Sequence, residues 1–225
     1  MPLHNTLQYL EGTRILGVHD AGNHLSVGRS KDADIFANSL FSKFGRRSGG
    51  LVVALAPFST EENKDWSTSR YVALAEWLIE KYNALIVITA GTSDSLRANS
   101  YFERLPDSSA IITDNTKVAQ HIAILRRCTL VISGDSSPMH IAAALDIPYI
   151  ALFCPIANDV LVPLEGQGKV VRKRISCAPC GSYRCTNSEF RKCMTLIDIR
   201  DVQSALIELL GEPLEASHAS RSLQA

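Results

Sequence analysis

The stretch LVVALAPFSTEENKDWSTSRYVALAEWLIEKYNALIVITA, Leu51 to Ala90, decides the architecture. Its two ends, LVVALAP and ALIVITA, are short apolar runs rich in β-branched residues, the pattern of strands buried on both faces. Between them, RYVALAEWLIEKY puts Tyr71, Leu74, Ala75 and Leu78 on one helical face. Strand, helix and strand in this order make a parallel pair, because parallel neighbours need a long crossover. Moving toward the C-terminus, the alternation continues. A polar helical segment near Leu96 to Glu103 precedes SAIIT, a helical segment from about Thr116 to Arg127 precedes TLVIS, and a helix after Pro138 precedes YIALF. The prediction is an α/β fold, a Rossmann-like doubly wound parallel sheet from Leu51 to about Phe153. DIRDVQSALIELLG adds a final amphipathic helix with Asp198 as its cap and Gly211 as its stop.

Moving toward the N-terminus, the pattern weakens. Residues 1–50 offer one helical stretch, NTLQYLEG, a candidate strand around HLSVGRS and the loop-like GRRSGG. They read as an interdomain connector and the end of a preceding domain. Residues 51–212 form the folded domain, and 213–225 carry the small, polar composition of a disordered tail.

Composition bounds the function. The chain has 225 residues, 46% of them hydrophobic, enough for a substantial core. Lysine plus arginine equals aspartate plus glutamate at 23 each, so no global field draws it to nucleic acid, and an anion must be held locally. No apolar run reaches transmembrane length, and the start lacks a signal peptide's basic and apolar regions. The expected compartment is the cytoplasm.

Two segments carry chemistry. GDSSPMH, Gly134 to His140, sits where a strand runs into a helix. Gly134 suits a tight turn, Ser136 or Ser137 a cap, and Pro138 the first helical position. Free N–H groups and the helix dipole at such a start bind anions. The second segment, APFSTEENKDW, follows the first strand and offers Ser59, Thr60 and Lys64, two hydroxyls and an ammonium suited to a pyrophosphate. Each residue also has a plain reading. Serine and proline punctuate many helix starts, Lys64 fits a solvated surface, Trp66 a core, and His140 a satisfied structural histidine.

Cys177, Cys180, Cys185 and Cys193 form C-x2-C-x4-C-x7-C. Four thiolates so spaced can hold zinc or an iron–sulfur cluster, but the later spacings differ from a common zinc ribbon. The expectation is that no metal is required, with the four-cysteine site as the alternative. Arg172, Lys173 and Arg174 read as a solvated strand edge, and Cys128 and Cys154 as inert core residues.

Together, STEENKDW, GDSSPMHIAAALDIP and SCAPCGSYRCTNSEFRKCMTLI resemble the C-terminal half of glycosyltransferase family 9, the ADP-heptose:lipopolysaccharide heptosyltransferases. The resemblance covers roughly Leu51 to Leu210. It implies a GT-B glycosyltransferase, of which this chain supplies the donor-binding half, and no required cofactor. The donor would be a nucleotide sugar, with ADP-heptose expected, and the acceptor a lipopolysaccharide core or related glycan. Ser59, Thr60 and Lys64 would bind the diphosphate, Lys64 also stabilising it as it leaves. Asp135, Ser136 and Ser137 would line the phosphate and sugar, with His140 supporting their loop. Asp94 is a candidate for the ribose. Location would be cytoplasmic, free or peripheral at the inner face of the inner membrane.

The family's general base and acceptor site belong to its first domain, and the first 50 residues offer no counterpart. The chain would then act with an N-terminal domain in trans, or persist as a catalytically inactive nucleotide-binding module. Ser137 stands where the family usually has glycine, and FCPI (Phe153 to Ile156) where it commonly has F-G-x-T.

Overall fold

Six short strands form one sheet in the order β3-β2-β1-β4-β5-β6. They are β1 (Val52–Ala56), β2 (Leu85–Thr89), β3 (Ala110–Thr113), β4 (Leu130–Gly134), β5 (Tyr149–Leu152) and β6 (Gly168–Val171), and every neighbouring pair is parallel. A computed structural model describes residues 4–17, 22, 24–44, 50–153, 161–178, 180, 182 and 184–211. The helices are α1 (Asn5–Arg14), α2 (Lys31–Ser42), α3 (Thr68–Tyr82), α4 (Ser95–Phe102), α5 (Val118–Leu125), α6 (Ser137–Ala144), α7 (Lys192–Thr195) and α8 (Ile199–Leu210).

The period of two along each strand sorts side chains to opposite faces. Val53, Leu55, Ile86, Ile88, Leu130 and Ile132 enter one buried layer with α3, α4 and α8. Ala54, Val87, Val131 and Ala151 enter the other, with α2, α5 and α6. Each fully buried leucine, isoleucine or valine contributes about 1.5–3 kcal/mol relative to exposure. A one-residue slip would exchange the layers, so the register is strongly specified.

α3 presents Tyr71, Leu74, Ala75 and Leu78 to the core as its periodicity predicts, and ends at Asn83, in the left-handed conformation that asparagine tolerates. Asp198 caps α8 by accepting from the Arg200 N–H, and Gly211 closes it. HLSVGRS is extended but joins no strand. Its Ser30 hydroxyl caps α2 by accepting from the Ala33 N–H, and Ala33 and Ala37 are buried in the second layer. The stretch read as a connector therefore contributes a helix to this core. β6 is a sequence-invisible strand: three exposed or partly exposed residues and the buried Val171, which pair with β5 just ahead of the basic run. The tail from residue 212 and Cys154 to Ile156 lie outside the described residues. Among the described residues, no helix is long and apolar enough to cross a membrane.

Candidate functional site

In a sheet of this order the strand sequence reverses between β1 and β4, and the crevice beyond their carboxyl ends is where ligands bind. Both candidate segments leave the sheet there. After β1, the Ser59 N–H donates to Asp65 Oδ1 at 2.9 Å. The Ser59 hydroxyl donates to the Glu61 carbonyl at 2.8 Å and accepts from the Glu61 N–H at 3.0 Å. These bonds close the loop into a 3-10 turn, Glu62–Lys64. Its far side is fixed to the C-terminal segment, for Asn63 donates to the Ser182 carbonyl and Trp66 Nε1 to the Ile197 carbonyl at 2.8 Å. Trp66 is a core residue, edge-on to Tyr71. Burial raises the Asp65 carboxyl above its ordinary range. The Ser59 N–H and the Arg97 and Arg191 guanidiniums oppose that shift without cancelling it.

After β4 the chain passes through Asp135 into α6. Gly134 needs no left-handed conformation, and a Cβ there would sit in ordinary contact, 3.5 Å from the Lys64 carbonyl. Its strand end simply lies close to the β1 loop. Ser136 holds the N-cap position but makes no side-chain cap bond, and Pro138 lies in the first turn. The first-turn N–H groups thus carry no side-chain cap of their own.

Lys64 joins the two segments. Its Nζ lies 3.2 Å from Asp135 Oδ2 and 3.1 Å from Glu61 Oε1. Burial alone would lower the ammonium's pKa, but Asp135 and Glu61 outweigh it and hold the pKa above the ordinary lysine value. Lys64 is therefore charged throughout the physiological range. The second Glu61 oxygen, Oε2, is buried with no hydrogen-bond partner, so that carboxylate's desolvation is only half compensated.

One cavity of about 480 Å³ collects Ser59, Thr60, Lys64, Asp135, Ser136 and Ser137, six of the seven residues that the sequence assigned to the diphosphate, the transferred sugar and their loop. His140 is the exception. It lies beyond the lining, its pKa lowered first by burial while the Asp135 charge opposes. Asp94 also lies outside the lining and pairs with Arg97 at 3.0 Å. The sequence reading missed Glu61 and Asp65, acids in a polar loop, and on the opposite wall Thr116, Val118 and His121, while of the turn that holds Asp94 it is Thr89 to Gly91 that line the cavity. Its only signal was position, since these residues follow β2 and β3.

The four cysteines gather about a second, small cavity of about 20 Å³. Asn187 Nδ2 donates to the Cys177 sulfur at 3.1 Å and the Arg191 N–H to that of Cys185 at 3.2 Å. Among the described residues, no group of three or more His, Cys, Asp or Glu is arranged to hold a metal ion. Cys128 is buried, and burial pushes its thiol far above the ordinary value.

The family model of glycosyltransferase family 9 (heptosyltransferase) matches residues 23–190. Lipopolysaccharide heptosyltransferase 2 of Salmonella typhimurium is 30% identical over 114 residues, 48% of this chain and 32% of the relative. Lipooligosaccharide heptosyltransferase 2 of Campylobacter jejuni is 28% identical over 166 residues, 71% of this chain and 50% of the relative. The chain thus spans a third to a half of the length of these curated relatives. Among solved structures, a glycosyl transferase family 9 protein of Veillonella parvula superposes with a TM-score of 0.76 at 20% identity, over 93% of this chain and 60% of that one. The ADP-heptose heptosyltransferase II of E. coli gives 0.63 at 20% identity, over 82% and 53%. These likenesses confirm the Rossmann-like fold, with GT-B glycosyltransferases as its neighbours.

Proposed function

The chain belongs to glycosyltransferase family 9, and from that premise we propose that its cavity between β1 and β4 binds a nucleotide-diphosphate sugar, ADP-heptose, for transfer to a lipopolysaccharide core or related glycan. The observation that carries this reading is the convergence on one cavity of a permanently charged Lys64 and the first turn of α6, which has no side-chain cap. A diphosphate matches that pair. The ammonium is a compact positive charge, and a helix N-terminus acts as roughly half a unit more.

In transfer, the acceptor hydroxyl oxygen bonds to the anomeric carbon as the bond from that carbon to the diphosphate oxygen breaks. Negative charge then grows on the departing oxygen, and Lys64 with the α6 turn stabilises it more than the ground state. Thr60 adds a hydroxyl, while Ser59 shapes the loop because its own proton is engaged. No metal is needed for this charge stabilisation. The residues occupy the cytoplasmic side in this scheme, where the nucleotide sugar is supplied.

Calorimetric titration with ADP, ADP-heptose, UDP and GDP tests the donor site. Saturable binding that prefers the ADP ligands, weakened at least about tenfold by Lys64→Ala, is expected. Binding of none of them would refute it.

One observation favours a second reading, binding without transfer. The single carboxylate among the described lining residues, Asp135, is already paired with Lys64 and is not free to take the acceptor's proton. A transfer assay with ADP-heptose and a lipopolysaccharide core, with and without a family N-terminal half added in trans, separates the two. Binding with no product in either mixture would establish the inactive module.

A further inference from the structure

The second cavity, of about 20 Å³, brings cysteine thiols against the back of the Lys64 loop. Cys177, Cys180, Cys185 and Cys193 line it, and so does Asn63, the residue just before Lys64. Asn63 is 4% exposed. Its Nδ2 donates to the Ser182 carbonyl at 3.0 Å, and its Oδ1 is buried with no hydrogen-bond partner among the described residues. On the other side of Lys64, the Arg191 guanidinium donates to the Asp65 carbonyl at 3.5 Å, while the Arg191 backbone N–H donates to the Cys185 sulfur. The segment that carries the cysteines therefore grips the loop on both sides of its lysine.

The four thiols are not equivalent. Cys193 is buried in the first core layer and Cys185 is half-buried, whereas Cys177 and Cys180 are exposed. These two stand at C-x2-C spacing, which redox-active pairs beside parallel sheets use. Cys177 lies in a turn closed by the Ala178 N–H on the Ile175 carbonyl at 3.1 Å, and its sulfur accepts from Asn187. Ser182, whose carbonyl holds Asn63, is two residues beyond Cys180. A bridge between Cys177 and Cys180 holds their Cα atoms within about 7 Å and takes the Cys177 sulfur from Asn187, so it resets the chain between the turn and Ser182. Asn63 cannot absorb that change. With Oδ1 already unpartnered, losing the Nδ2 bond would leave a buried amide satisfied at neither end, a cost the loop relieves only by moving. Lys64 moves with it.

We propose that Cys177 and Cys180 are a reversible thiol–disulfide pair, oxidised by a small disulfide of the glutathione class, and that closing the bridge loosens the Asn63–Ser182 contact and lowers the affinity of the Lys64 loop for a diphosphate. In the first step the Cys177 thiolate attacks one sulfur of the external disulfide and releases one small thiolate. Cys180 then attacks the Cys177 sulfur of the mixed disulfide and releases the second. Two electrons pass from the cysteines to the external disulfide, and the two cysteine protons end on the two released thiols. The link to affinity rests on the donor-site reading above.

The test equilibrates the full chain in glutathione buffers from fully reduced to disulfide-rich, counts and locates thiols by alkylation and mass spectrometry, and titrates each state calorimetrically with inorganic pyrophosphate and ADP. The oxidised wild type should lose two thiols per chain to a Cys177–Cys180 bridge and bind both ligands about tenfold more weakly, the scale of one buried hydrogen bond. Dithiothreitol should restore both. The double variant Cys177→Ser, Cys180→Ser should bind like the reduced wild type in either buffer. Asn63→Ala should bind more weakly in reduced buffer and lose nothing further on oxidation, because the bond at risk is already gone. No bridge in disulfide-rich buffer, or a bridge with unchanged affinity, overturns the inference while the donor site stands. So does an equal oxidative loss in the double variant, which would move the effect to Cys185 or Cys193. If the reduced wild type binds neither pyrophosphate nor ADP, the donor-site reading falls and takes this one with it.

Discussion

Glu61→Gln should tighten ADP binding, an outcome opposite to that of most substitutions beside a ligand. Lys64 Nζ is shared by Glu61 at 3.1 Å and Asp135 at 3.2 Å, so the cluster carries one positive and two negative charges. A diphosphate arriving on the same ammonium puts a phosphate oxygen about 2.8 Å from Nζ, hence within about 6 Å of the Glu61 carboxylate. Two unit charges at that distance repel by about 3 kcal/mol at an effective dielectric of about 20, and by about half that nearer the solvent. The Glu61 side chain is 25% exposed, so the lower part of the range applies, about 1–2 kcal/mol. Neutralising it should lower the Kd for ADP about 5- to 30-fold. Glutamine keeps the shape and an oxygen for Lys64, while Asp135 keeps the ammonium in place. Calorimetry at fixed ionic strength, with pyrophosphate as a second ligand, reads the change. An unchanged or weaker Kd would refute the reasoning, and would mean that Glu61 aims Lys64 at the ligand instead of competing for it.

Two further outcomes concern the scaffold. Gly168 lies opposite Tyr149 in the β5–β6 pairing, where an added Cβ would come within 2.1 Å of the ring. Gly168→Ala should therefore cost about 1–3 kcal/mol by denaturant unfolding, and a smaller loss would show that the ring moves freely. Asp65 titrates above its ordinary value in the fold, so the stability linked to its protonated form is lost as pH rises through the folded pKa. Asp65→Asn, which can still accept the Ser59 N–H, should hold or raise Tm by about 1–3 °C at pH 7. That gain should vanish below about pH 4, and a fall in Tm at pH 7 would show that the Arg97 and Arg191 charges dominate.

The fold was legible where burial on both faces wrote itself into the residues. β1, β2 and β4 are continuous apolar runs, and the α3 stripe of Tyr71, Leu74, Ala75 and Leu78 repeats at helical period. α2 was not legible, because Ala33 and Ala37 reach the core with small side chains while Ile35 and Phe36 face outward. The stripe it does carry, Ala33, Ala37, Leu40 and Phe41 at helical spacing, is masked by those two bulkier outward residues. β6 was hidden for a related reason. Only Val171 of its four residues is fully buried, and the glycine that opens it is there to clear Tyr149 rather than to form strand.

At the candidate site, the gathering of Thr60, Lys64, Asp135 and Ser137 on one cavity was legible because strand–loop–helix junctions announce themselves, and the sheet order sets two of those junctions side by side. What junctions do not report is which polar groups are already spent. Ser59 looks identical in sequence to Thr60, a hydroxyl at the same turn. Its hydroxyl and N–H are nonetheless both committed inside the loop, one to the Glu61 carbonyl and the other to Asp65. Bonding a phosphate with that hydroxyl would mean breaking the contact that places Glu61 beside Lys64, coupling ligand entry to release of the competing carboxylate. The loop's internal hydrogen bonds and its ion pairs therefore form one system, and the charges around Lys64 are held by contacts of Ser59 and Glu61, five and three residues upstream.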